Sequence, residues 1–99
     1  MTLQNVPNYK PIFSEEALKS LRKLDKFIVQ QILKKISDLC SNAQNLNIKK
    51  LKSTKYNLYR LRVGVYRVIY TIENKALTIH IVAIGHRKDI YKKVAEVFA

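Results

Sequence analysis

The hydrophobic period of this chain switches from helical to alternating partway along, and that switch limits the folds open to it. Up to Leu39 the apolar residues recur at three- and four-residue steps, whereas from Leu58 onward they fall at every second position. The first pattern is that of amphipathic helices and the second that of half-buried strands. Ser14 is a good helix N-cap, with Glu15 and Glu16 where the helix dipole favours carboxylates and Ala17, Leu18, Leu21 and Leu24 following. Asp25 is placed to cap a second helix, whose apolar face is Ile28, Ile32, Ile36 and Leu39. Such an α-hairpin has one apolar stripe and needs a sheet to cover it. Tyr9 to Phe13 reads as a short strand, which Pro11 confines to an edge or a strand start. Ser41 to Asn47 is a polar loop. LYRLR, YRVIYTI and LTIHIVAIG then read as three strands, with turns at Gly64 and at Asn74-Lys75. Ile90, Val94, Val97 and Phe98 predict a short C-terminal helix. The expectation is one α+β domain over residues 1–99, ordered β-α-α-β-β-β-α with a largely antiparallel sheet and preceded by an irregular lead over residues 1–8.

Charge narrows the class of function. The 99 residues include 19 Lys and Arg against 7 Asp and Glu, a formal charge of +12 that draws the chain towards polyanions. Between Asp38 and Glu73 there is no acidic residue, yet Lys49, Lys50, Lys52, Lys55, Arg60, Arg62 and Arg67 all fall there. Lys is a hydrated point charge and Arg a planar fork suited to phosphate, so the Arg cluster is the part that needs a reason. The lone cysteine, Cys40, excludes an internal disulfide and reads as a helix core residue. No apolar run approaches the roughly 20 residues of a membrane span. MTLQNVPNYK lacks the layout of a secretory leader, and a cytosolic chain is expected. No Gly-rich phosphate loop, paired carboxylates or metal-ligand spacing occurs, so no cofactor or metal is expected.

Turns at Val63-Gly64 and Asn74-Lys75 would set Arg60 opposite Arg67, Arg62 opposite Val65, and Ile69 opposite His80. Arg60, Arg62, Arg67, His80 and His86 would then share one face of the sheet. Tyr59, Leu61, Tyr66, Val68, Tyr70, Ile79, Ile81 and Ala83 would line the other and bury the helices. Opposed like charges destabilise a sheet by roughly 0.2–1 kcal/mol, a cost that an anion between them would offset.

YRLRVGVYRVIY followed by IGHRKDIY, together with the ALKSLRKLDK opening and the KKLK loop, resembles the RelE/ParE toxin superfamily of bacterial toxin–antitoxin systems. The resemblance runs over most of the chain. It implies a four-stranded antiparallel sheet packed against an α-hairpin. RelE-like members cut messenger RNA in the ribosomal A site, and ParE-like members poison DNA gyrase. Position by position it implies substrate roles for Arg60, Arg62, Arg67, Arg87 and Tyr91. The best-studied members carry Lys at the first two places, one of them assigned as the base, and Arg is effectively never deprotonated. Other branches place His where this chain has His86, which would return a group that exchanges protons near neutrality. The expected chemistry is attack of a 2′-hydroxyl on the adjacent phosphorus. Arg67, with Arg62 or Arg87, would supply cations, His86 would serve as acid–base group, and Tyr91 would orient the substrate or share the proton. Lys49, Lys50, Lys52, Lys55 and Arg60 are the expected RNA contacts. The expected partners are a cognate antitoxin, the ribosome and messenger RNA, with no membrane.

Overall fold

A computed structural model describes residues 8–41, 48–50 and 57–98 of the chain. Its elements are β1 (Lys10–Phe13), α1 (Glu15–Arg22), α2 (Lys26–Ser41), β2 (Ile48–Lys50), β3 (Tyr59–Val63), β4 (Tyr66–Glu73), β5 (Thr78–His86) and α3 (Ile90–Phe98). The α+β class and the expected order of helices and strands hold. The sheet, however, has five strands in the order β1-β5-β4-β3-β2. Lys49 and Lys50, expected in a basic irregular segment, belong to the short β2, which pairs antiparallel with β3. The sheet is also not wholly antiparallel, because β1 runs parallel to β5. That follows from connectivity: α1 and α2 carry the chain away from β1, which no hairpin links to its neighbour. Lys52, Lys55, the lead before Asn8 and the loop over residues 42–47 lie outside the described residues.

Local chemistry accounts for the element starts. Ser14 caps α1 as expected, its Oγ accepting from the Ala17 N–H at 3.0 Å. Asp25 holds the cap position of α2, with its carbonyl accepting from Val29 N at 3.0 Å. Gly64 and Val65 form a two-residue hairpin loop, and Gly64 has φ of 60°. Positive φ at the first loop position alone is the type II′ pattern, which strongly favours glycine there. The second hairpin turns over four residues, Asn74 to Leu77, instead of the expected two, and Leu77 takes a φ of 49°.

Both turns move the register. Arg67 lies opposite Arg62, not Arg60, and Arg60 lies opposite Ile69. Each shift is by two residues, so the expected faces survive across β3, β4 and the start of β5. They fail after a β-bulge: Ile69 pairs with Ala83 and Tyr70 with Ile81, leaving Val82 without a partner in β4. One extra residue inverts the alternation beyond it. The Val82 carbonyl instead accepts from Ser14 Oγ at 2.9 Å, so the residue that starts α1 also secures the bulge.

Two cores result. Ile32, Ile36, Leu39 and Cys40 of α2 and Ala17 of α1 pack on Leu61, Val63, Val68, Tyr70, Ile79, Ile81 and Ile84. On the opposite face Ile90 and Val94 of α3 pack on Leu58, Ile69 and Ala83. Ala83 was expected under the α-hairpin, and the bulge places it under α3. Burial pushes the Cys40 thiol pKa up, as suits a core residue. The side chains of Val97 and Phe98 lie outside the described residues.

Candidate active site

The Arg face is built by β3 and β4 and flanked by α3. Arg67 is buried, with 6% of its surface exposed, and its Nη1 donates to the carbonyls of Gly64 and Tyr66, each at 2.9 Å. The hairpin loop therefore closes around its own arginine. Arg67 Nε is buried without a hydrogen-bond partner. Arg62 stands directly opposite on β3 and is exposed. Among the described residues the ion pairs are Arg22–Glu15, Lys34–Asp38 and Lys93–Glu16, none of which involves an arginine of this face. A buried guanidinium with a second cation directly opposite makes the local potential positive, and such a potential attracts anions.

The other flank comes from α3. Arg60 Nη1 donates to the Tyr91 hydroxyl at 3.0 Å, and Arg60 Nε is buried without a partner. Tyr91 is partly exposed, at 42%. Gly85, opposite Arg67 on β5, allows the close approach of α3: a β-carbon there would stand 3.2 Å from Ile90 Cδ1. A lone glycine inside a strand pattern signals such an approach, and the Gly that ends LTIHIVAIG carries that signal. Arg87 is exposed, and its backbone N–H donates to Val65 O at 2.7 Å, which ties the turn after β5 to the tip of the first hairpin. The structure thus gathers Arg60, Arg62, Arg67 and Tyr91 on one side of the sheet, with Arg87 anchored at the hairpin tip. Lys49 lies opposite Arg60 in the backbone register of β2 and β3.

His86 is the correction. It pairs with Tyr66, and its ring stands edge-on to the Tyr66 ring at 5.9 Å, so it shares the α-hairpin side of the sheet and not the Arg side. The inverted alternation after Val82 is the cause. His86 Nδ1 accepts from the Lys88 N–H at 3.1 Å, leaving Nε2 as the nitrogen that carries the proton in the neutral ring. His80, opposite Thr71, keeps the expected face but is half-buried near the far end of the sheet. Of the expected site residues described with side chains, Tyr91 is the one non-arginine group that remains beside the arginines.

A model of the ParE toxin of type II toxin–antitoxin systems matches residues 12–91. The chain is 37% identical over 92 residues to an Escherichia coli protein named as a RelE-like toxin, covering 89% of this chain and 95% of that one. It is 38% identical over 87 residues to toxin RelE3 of Methanocaldococcus jannaschii, covering 83% and 94%. The archaeal RelE–RelB complex from Pyrococcus horikoshii OT3 superposes with a TM-score of 0.68 at 28% identity, covering 81% of this chain and 96% of that one.

Proposed function

This chain belongs to the RelE/ParE toxin superfamily of type II toxin–antitoxin systems, and from that premise we propose that it cuts messenger RNA on the ribosome until an antitoxin restrains it. The observation that carries the reading is Arg67, a buried guanidinium without a carboxylate partner among the described residues and with Arg62 opposed to it. Charge develops on the phosphorane when the 2′-hydroxyl attacks, and a fixed cation at that point lowers the barrier more than it tightens ground-state binding. Arg67 and Arg62 neutralise that charge, and Arg87 and the Lys49–Lys55 segment hold the flanking backbone. Tyr91, oriented by Arg60, stacks on a base or shares the proton. The remaining proton traffic falls to the ribosome or the RNA. The antitoxin reading rests on structural relatives solved as complexes with RelB.

One observation favours the non-enzymatic alternative, a ParE-like inhibitor of DNA gyrase: His86 lies across the sheet from the arginines. Expression of the chain alone followed by mapping of transcript 5′ ends separates the two. New cuts within coding regions support cleavage, and intact messages with rising DNA-damage signalling support gyrase. Arg67→Ala is expected to reduce cutting by about 10²–10³-fold, the usual loss when one transition-state donor is removed. Wild-type cutting by this variant would overturn the assignment.

A further inference from the structure

His86 left the Arg face for a cleft of about 270 Å³ on the other side of the sheet, and the chemistry of that cleft is its own. It is lined by Ser20, Lys23 and Leu24 from the end of α1, Tyr66, Ile84, Gly85 and His86 from the strand ends, and Lys93 from α3. Lys93 Nζ donates to Ser20 Oγ at 2.9 Å and to the Ile84 carbonyl at 3.4 Å and lies 3.6 Å from Glu16, so its donors are committed within the protein and Ser20 keeps its own proton to donate. His86 Nδ1 is already accepting from Lys88, which leaves the Nε2 proton as its free function. Lys23 is exposed and makes none of the ion pairs among the described residues. The donors left free at the cleft are therefore the Ser20 hydroxyl, the Lys23 ammonium and the His86 Nε2–H, and Lys23 is the cation there that stands outside the ion pairs of the described residues. Leu24, Tyr66 and Ile84 give it an apolar wall.

A rim with these free donors beside an apolar wall favours a ligand that is an anionic acceptor joined to an apolar stem. The volume falls below the roughly 300–1,000 Å³ of small-molecule clefts and suits an anchoring side chain or two from a larger partner. We propose that this cleft binds a carboxylate side chain, with an adjacent aliphatic one, from an acidic segment of a partner protein. A chain of +12 complements such a segment. The proposal rests on the reading above only in taking the segment to belong to the restraining partner. A phosphodiester is the competing anion, but its backbone carries no aliphatic side chain to meet Leu24 and Ile84.

The test is a titration of the full chain, followed by nitrogen–proton correlation spectra, with three probes: acetyl-Leu-Glu-Leu-amide, the same peptide with Gln for Glu, and uridylyl-uridine. The Glu peptide is expected to shift the Tyr66, Gly85 and His86 amides, and to bind about fivefold more tightly than the Gln peptide, the upper range for one exposed ion pair. Lys23→Gln, at an exposed position, is expected to remove most of that difference while the spectrum stays folded. Equal binding of the two peptides, no shift at those amides, or a stronger response there to the dinucleotide would overturn the proposal. Growth arrest is not read in this titration. Failure here leaves the toxin reading standing, and a chain that never arrests growth leaves this site standing.

Discussion

Arg67 and Tyr70 are neighbours on β4 with opposite problems, one a charge under cover and the other a hydroxyl under cover. Arg67 uses two backbone carbonyls of its own loop, so the alternation that put an arginine in YRLRVGVYR was legible, but its burial was not. Burial depends on the Gly64 loop closing over it, which no single position announces. Tyr70 is fully buried, stacked on Tyr59 at 5.6 Å, and its hydroxyl has no partner. Burial, reinforced by Tyr59, raises its phenol pKa. The folded chain therefore keeps a proton that the unfolded chain loses above about pH 10. The resulting stability is complete below that pH and drains away as pH rises further. Denaturant melts are expected to show that alkaline loss in the wild type and a smaller one in Tyr70→Phe, which at neutral pH should be as stable or more so because an unsatisfied group is gone. Backbone strain falls on Leu77, with its left-handed φ of 49°. Leu77→Gly is expected to stabilise the fold by up to about 1 kcal/mol, the smaller end of the penalty a side chain incurs there, read from a higher denaturant midpoint.

At the level of elements, the helices and strands were readable because each keeps one period over many residues. Faces were readable only as far as pairing stayed regular. The shifts of two residues left Arg60, Arg62 and Arg67 together, and Val82 then undid the expectation for Ala83 and His86. Nothing in LTIHIVAIG marks the bulge, and the group that satisfies its spare carbonyl, the Ser14 hydroxyl, lies 68 residues earlier. The site inherits this arrangement through α3. Ile90 and Val94 seat that helix on Leu58, Ile69 and Ala83, and the same seating brings Tyr91 to Arg60. Ile90→Ala is expected to destabilise the fold by about 2–5 kcal/mol, as large-to-small changes in a core do, and to slow cutting at temperatures where the fold persists. His86→Gln is expected to slow cutting less than Tyr91→Phe, read as single-turnover rates on programmed ribosomes. The reverse order would return the acid–base role to His86.

Over the whole molecule, the charge and the sheet edges set how it meets others. RNA affinity is expected to fall linearly on logarithmic axes with added salt, and Arg62→Ala to lower that slope by about 0.7, the increment for one single-strand phosphate contact. An unchanged slope would show that Arg62 touches no phosphate. The β1 edge is closed to strand addition by its own chemistry. Tyr9 N–H is held by the Cys40 carbonyl at 2.9 Å, and Pro11, at the next outward position, has no N–H to offer. The bulge carries a different consequence, one that concerns inheritance. Because only the turn from Arg87 to Asp89 separates β5 from α3, the parity set at Val82 bears on which side of the sheet receives the last helix and its tyrosine. A gene can exchange bases along β5 and leave that decision alone. Loss of a single codon between Val82 and His86 would reverse it, so a deletion scan should find this stretch far less tolerant than the four-residue turn before it.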